Sequence, residues 1–384
     1  MTKNQFYLLI YSLLFTSTIF AISRTNWLFI WISIELNLLC FIPIIYSSHT
    51  FQETEARVKY FLNQALGSRL LLITRSMLRF NFTYSTISLI VLIASLSLKL
   101  GIAPFHLWFP SVMSSISWIN CFILSTWQKL APLAYISTII SLSLTYIIII
   151  LSIISAILGG IIGVNQTKLR TIIAYSSITH LGWITGLILV KPLLSLVYFI
   201  IYSIIIYPLF ILINKNKLNL ISQTTVSIKH SPLIQALIPL ILLSLRGIPP
   251  ITGFMPKWIS IIYLSQFNTT LLLLLIIGSL ISTYYYLSII FSALLNFNLE
   301  AKQNSIKLFT YPSQYASILA TASLLILPFT LLLYALNIFY KPQRHWHTIF
   351  PSWYLGRYVR SRHKSPYSNW IKTTRIIPRK RPVI

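Results

Sequence analysis

Residues 98–132 read LKLGIAPFHLWFPSVMSSISWINCFILSTWQKLAP. Two lysines, Lys99 and Lys129, stand in this strongly apolar run, and Gly101 and Pro104 break the helix between them. A lysine at membrane depth costs roughly 2.5–3.5 kcal/mol on insertion scales, so one is rarely retained without use. Glu35 upstream and Lys257 downstream complete a sparse set of ionisable groups inside hydrocarbon-compatible helices. That pattern fits a charge or proton relay in a membrane protein, with the remaining chain as its scaffold.

Composition agrees. The 384 residues are 56% hydrophobic and only 9% charged, with a mean hydropathy of +0.78. Soluble domains carry about 25% charged residues, which excludes a water-soluble reading. The expected fold is all-α: a polytopic transmembrane bundle of about eleven helices, since a span needs about 20 apolar residues. The apolar stretches fall near 5–22, 27–46, 58–74, 82–100, 113–135, 139–160, 169–190, 193–213, 270–294 and 316–339. A further span begins near Leu233 and is broken by RGIPPITGF, residues 246–254. Two discontinuous helices are therefore expected, near 101–106 around Gly101, Pro104 and His106, and near 246–256 around Pro249 and Pro250. Such breaks are tolerated at membrane depth only inside protein or beside a wet cavity. The stretch 58–74 is the least apolar, with Lys59, Asn63, Gln64, Ser68 and Arg69, and is expected to face protein or water. The run Gly159–Gly163 reads as a helix end, because no strand precedes it and no phosphate-binding lysine follows.

Charge divides the chain in two. The formal net charge of +26 would ordinarily suggest a polyanionic partner. Yet residues 341–384 hold 11 of the 30 basic side chains, so residues 1–340 form the membrane domain and 341–384 an extramembrane basic tail. The tail fits anionic phospholipid or a neighbouring subunit, and nothing points to nucleic acid. The N-terminus reads as a retained first span, not a cleaved signal. Asp is absent, and the four acids are Glu35, Glu53, Glu55 and Glu300. Cys40 and Cys121 both lie in predicted spans and suggest neither a disulfide framework nor a metal site.

The ionisable residues admit two readings each. Glu35 and Lys99 form either a switchable pair, whose protonation responds to an approaching charge, or a fixed ion pair orienting two helices. Lys129, one turn before Pro132, is a proton store or a lysine snorkelling from a span's end. His180 shares a polar helix face with Tyr175, Ser176, Ser177 and Thr179, as a relay member or a satisfied core histidine. His106 is expected to cap the loose helix end, and Lys257 lies either mid-membrane or at an edge. No Cys/His spacing suggests haem, zinc or an iron–sulfur cluster, so no cofactor is expected on this chain.

Six segments together resemble a known family. WISIELNLLCFIP (31–43), TEARVKYFLNQALGS (54–68), KLGIAPFHLWFPSV (99–112), STWQKLAP (125–132), NQTKLRTIIAYSSITHLGW (165–183) and RGIPPITGFMPKW (246–258) occur in order. They resemble the mitochondrial NADH dehydrogenase subunit 2 family, the antiporter-like membrane subunits of respiratory complex I, over essentially residues 1–340. The resemblance implies the shortened eleven-helix animal type, the mitochondrial inner membrane, and proton translocation driven by NADH oxidation and ubiquinone reduction. It implies that NADH, FMN, the iron–sulfur clusters and ubiquinone are bound by other subunits. Implied partners are neighbouring antiporter-like and small membrane subunits, with structural phospholipid, cardiolipin among the candidates.

Carried over by motif, Glu35 and Lys99 match the interacting glutamate–lysine pair and Lys129 the central relay lysine. Lys257 matches the lysine after the broken helix, toward the exit side, and His180 lies in the matching polar helix. Two positions depart from the family: Ser111 stands where relatives often have an acid, and Arg246 where a small residue is usual. Two other functions remain open at this point, a stand-alone cation/proton antiporter and a structural subunit without its own proton channel.

Overall fold

The computed structural model describes residues 3–46, 50–80, 85–139, 144–216, 218–221, 232–248 and 251–301. All belong to one compact unit, Met1–Phe329. The predicted span 316–339, the basic tail and the break residues Pro249 and Pro250 lie outside the described residues.

Thirteen helices appear among the described residues: α1 (Lys3–Ser23), α2 (Trp27–Ile45), α3 (Phe51–Phe80), α4 (Ser85–Leu100), α5 (Trp108–Ser115), α6 (Trp118–Ser125) and α7 (Trp127–Ile139), then α8 (Thr145–Val164), α9 (Leu169–Val190), α10 (Pro192–Lys215), α11 (Pro232–Arg246), α12 (Phe254–Phe267) and α13 (Thr269–Ala301). Six of these are long and apolar enough to cross a membrane, namely α1, α2, α8, α9, α10 and α13 up to Phe291. An antiparallel bridge, Lys168 to Leu220, ties the entry of α9 to the segment after α10.

α9 is the pillar. Every residue from Thr171 to Ile188 is buried, and α5, α6, α7, α8, α10, α12 and α13 all pack on it. A helix buried all round must satisfy its own polar groups. Ser176, Ser177 and Thr179 each donate to a carbonyl three residues back, at 2.7–2.8 Å, which leaves their oxygens able to accept from other helices.

Small residues set the spacing on the other side. A Cβ on Gly160 would lie 2.8 Å from the Gly278 carbonyl oxygen, and one on Gly182 would lie 2.8 Å from that of Ser152. The glycine run at 159–163 therefore does not end the helix; α8 continues through it to Val164 and uses it to approach α9 and α13. Close backbone approach through small residues is the usual basis of helix association in lipid, where burial itself supplies little drive.

Several boundaries differ from the sequence expectation. α3 runs from Phe51 to Phe80, beyond the expected 58–74. Thr50 Oγ1 accepts from the Glu53 backbone N–H at 3.3 Å, and Lys59 pairs with Glu55 one turn away at 2.5 Å. These local contacts continue the helix through residues that hydropathy alone assigns to a loop. The link after the first break is itself a short helix, α5, and the single span expected at 113–135 is two helices, α6 and α7, parted at Thr126. α2 carries Pro43 inside it and ends at Ile45, one residue short of the expected 46. The freed end is held from outside, where Asn120 Nδ2 donates to the Ile44 carbonyl at 2.8 Å.

Candidate functional site

Glu35 lies half-buried in the middle of α2, and its Oε2 is buried without a hydrogen-bond partner. Lys99 is the penultimate residue of α4 and is buried, its Nζ likewise without a partner. The lysine stem runs across Gly67 of α3, where a Cβ would meet Lys99 Cγ at 2.9 Å and Cε at 3.2 Å. The charges of Glu35 and Lys99 act on one another. Neither Lys99 Nζ nor Glu35 Oε2 has a hydrogen-bond partner among the described residues, so the two couple through space without a hydrogen bond. Tyr60 of α3, fully buried, lies in the field of the same carboxylate.

The first break follows Lys99 directly. Gly101 has φ of +70°, a conformation that costs glycine little and other residues much. Gln64 Nε2 donates to the Lys99 carbonyl at 3.1 Å and Trp108 Nε1 to the Leu98 carbonyl at 3.0 Å, so the unravelled helix end is capped by side chains of α3 and α5. His106 does not supply the expected cap with its ring. Its backbone carbonyl accepts from the Phe109 N–H at 3.0 Å, whereas the ring packs edge-on to Tyr175, 6.4 Å between centroids.

Lys129 sits in the first turn of α7, immediately after the break at Thr126, and is only 2% exposed. Snorkelling to an interface is ruled out by that burial. Its Nζ donates to Ser177 Oγ of α9 at 3.2 Å and stands 4.3 Å from the centroid of the Phe109 ring. A hydroxyl and an aromatic face both receive a cation well, yet neither is an anion that would lock the lysine in its charged form. Pro132 lacks the N–H that the Gln128 carbonyl would otherwise accept. This is the one sequence sign that the chain is loosened here.

His180 lies one turn beyond Ser177 on α9. Its Nδ1 is 2.9 Å from the Tyr198 hydroxyl, and its ring is 4.9 Å from that of Tyr202, both on α10. The Tyr202 hydroxyl approaches Ser177 without reaching hydrogen-bonding geometry. Lys129, Lys257 and Arg246 all lie close enough for their charges to act on His180.

At the second break, Lys257 occupies the first turn of α12 and is buried within the protein. Its Nζ donates to the Arg246 carbonyl at 2.5 Å, at the last residue of α11. Arg246 is buried too and reaches α13, where its Nη1 donates to Ser282 Oγ at 2.6 Å. Gly247, at φ of +78°, reverses the chain between them. Ser111, the other departure, is half-buried in α5, where its hydroxyl donates to the Trp108 carbonyl at 2.8 Å.

Among the five candidate relay residues, Glu35 acts on Lys99, Lys99 and Lys129 border one cavity, and Lys129 and Lys257 both act on His180. Three contributors escape sequence reading. Phe109, Tyr198 and Tyr202 look like ordinary apolar filling, and only the i,i+4 spacing of the two tyrosines sets them on one helix face.

Residues 24–282 match the family described as NADH:quinone oxidoreductase/Mrp antiporter, transmembrane. Among curated relatives, NADH-ubiquinone oxidoreductase chain 2 of Lumbricus terrestris is 45% identical over 74% of this chain and 85% of its own. The Pongo abelii chain of the same name is 34% identical over 86% of this chain and 98% of its own. The chain belongs to this family.

Membership in the chain 2 family makes it a membrane-arm subunit of the complex I and antiporter-like group, a multi-pass protein of the mitochondrial inner membrane. Solved structures share its fold at lower identity. Respiratory complex I from Thermus thermophilus with bound aureothin contains a chain with a TM-score of 0.73 and 20% identity, covering 86% of this chain and 78% of that one. The Mrp complex from Dietzia sp. contains one with a TM-score of 0.64 and 16% identity, covering 74% and 59%. The antiporter-like bundle with broken helices is the expected fold, and this chain 2 protein has it.

Proposed function

We infer that this chain carries protons, or the charge changes that drive them, within the membrane arm of a proton-translocating NADH:ubiquinone reductase. What carries this reading is the set of buried basic side chains, Lys99, Lys129, His180 and Lys257, placed at three helix breaks and on the fully buried α9. A buried basic group with no fixed counter-ion can gain or lose its proton when a neighbouring charge changes, which a relay needs. Glu35 and Lys99 act as the gate, Lys129 as the central store, and transfer passes His180 toward Lys257. Moving one charge across the membrane costs about 2.3 kcal/mol per 100 mV, so redox work in other subunits must bias these groups. Those subunits hold NADH, FMN, the iron–sulfur clusters and ubiquinone. The exposed apolar faces of α1 and α2, with Leu8, Ile19, Leu28 and Phe29, suit neighbouring membrane subunits or structural phospholipid such as cardiolipin. The basic tail, residues 341–384, suits the same surfaces.

The test is Lys129→Ala in mitochondria that still assemble the complex, with NADH-driven quinone reduction and proton translocation measured on the same membranes. Loss of both with intact assembly is the expected result. Normal pumping by the assembled variant leaves Lys129 structural and overturns the reading.

A further inference from the structure

Gln128, next to Lys129 in the first turn of α7, takes no part in the relay described above. Its side-chain amide is nevertheless held at both ends. Tyr60 Oη of α3 donates to Oε1 at 3.3 Å, and Nε2 donates to Asn37 Oδ1 of α2 at 2.8 Å. Tyr60 senses the charge on Glu35, and Asn37 lies two positions along α2 from the same glutamate. The turn being held needs holding. Thr126 ends α6, and the first N–H groups of α7 lack the helical partners that a continuous span would supply.

Gln128 also lines a small cavity of about 10 Å³. Gln64, Lys99, Trp108, Phe109, Gln128 and Lys129 form most of its wall. That space admits one water, which requires two to four polar partners. The wall contributes two lysines and two amides, and Lys99 Nζ has no hydrogen-bond partner elsewhere in the protein's described residues. Gln64 is committed on its Nε2 side to the Lys99 carbonyl. Gln128 is the wall residue that ties the cavity to α2 and α3 while adjoining Lys129 in sequence.

We propose that Gln128 is a positioning residue that, clamped between Tyr60 and Asn37, holds a single water bridging Lys99 and Lys129. The proton passes by exchange. One ammonium gives its proton to the water oxygen as the water releases another of its protons to the neutral amine of the second lysine. One N–H bond breaks and one forms, and the water is regenerated. Because Tyr60 lies in the field of Glu35, the clamp links the gate to the turn that carries the central lysine. This proposal rests on the relay reading above.

The experiment uses the assembled complex in mitochondrial membranes, with protons translocated per NADH and the pH profile of that ratio as readouts. Gln128→Leu keeps the bulk and removes the clamp, and a misplaced donor typically costs on the order of tenfold to a hundredfold in rate. Tyr60→Phe removes one hydroxyl from the same clamp and is expected to give a smaller loss with the same altered pH profile. The double variant is expected to be no worse than Gln128→Leu alone. Gln128→Glu, which can still accept from Tyr60, is expected to recover rate while shifting the pH profile through its added charge. A merely structural glutamine would alter assembly and leave that profile unmoved. Should Gln128→Leu fail to assemble, Tyr60→Phe decides. Wild-type pumping and pH profile in both variants, with Lys129→Ala inactive, overturn the clamp and spare the relay. Normal pumping by Lys129→Ala overturns the relay and the clamp with it.

Discussion

The Lys257 ammonium donates to the Arg246 carbonyl across eleven positions of sequence, so the first turn of α12 caps the last turn of α11. A cation at a helix C-terminus meets the negative end of the helix dipole and the unsatisfied carbonyls together. The nearby guanidinium of Arg246 acts against it. Lys257 is thus held between an attraction to the helix end and a repulsion from a like charge. Lys257→Met is expected to keep the packing and lose the cap, at about 0.3–2 kcal/mol of local stability. If the exit side of the relay runs through this lysine, proton translocation falls far more than complex content does. Native-gel quantitation beside proton translocation checks the split.

The same break depends on Gly253. A Cβ there would lie 1.6 Å from the Ser244 carbonyl oxygen, a backbone atom that no rotamer change can move away. Gly253→Ala is expected to force α11 and α12 apart and to lower the amount of assembled complex. Overpacking of this kind costs about 1–3 kcal/mol or more. Gly186→Ala is the control, since its nearest neighbour is the flexible end of Leu275 at 3.3 Å. Equal assembly of the two variants, measured on native gels, would mean that α11 tolerates displacement.

Much of this arrangement is legible in the sequence because insertion into lipid penalises misplaced charge heavily. Lys99, Lys129 and Lys257 stand out against apolar surroundings, and Gly101 and Pro104 mark the first break through backbone chemistry alone. The parting of α6 and α7 at Thr126 is not legible in the same way. Hydropathy is continuous across it, and the only local sign is Pro132, six residues later. Nor does the sequence reveal that Glu35 and Lys99 couple without a hydrogen bond, because that depends on the groove Gly67 opens in a third helix. The extension of α3 escaped for a related reason. Its added turns at the start are polar, and their helicity comes from the Thr50 cap and the Glu55–Lys59 pair, which hydropathy does not weigh.

The Tyr198 hydroxyl of α10 lies 2.9 Å from His180 Nδ1, and the Leu245 backbone of α11 also acts on the ring. Tyr198→Phe retains the ring and deletes the hydroxyl, which leaves a buried imidazole nitrogen unpaired at a cost of about 1–3 kcal/mol. The imidazole is then held only from the Leu245 side, and transfer between Lys129 and Lys257 is expected to slow. Tyr202→Phe makes a useful comparison, because the Tyr202 hydroxyl has no hydrogen bond to lose. A larger loss of proton translocation in the Tyr198 variant, with similar complex content in both, supports a positioning role for that hydroxyl. Equal rates would assign both tyrosines to packing.

Gly67 separates stability from transport most cleanly. It lies inside α3, where alanine is favoured over glycine by about 1 kcal/mol through backbone entropy. On those grounds Gly67→Ala should stabilise the helix. Its Cβ, however, would stand 2.9 Å from Lys99 Cγ, and the lysine stem is flexible enough to give way. The strain is therefore relieved by moving Lys99 away from Glu35 and from the cavity it shares with Lys129, and the fold survives. Gly67→Val enlarges the displacement. The expected outcome is assembled complex at normal levels, with proton translocation falling from glycine to alanine to valine. Translocation unchanged across that series would mean that the placement of Lys99 does not limit the route.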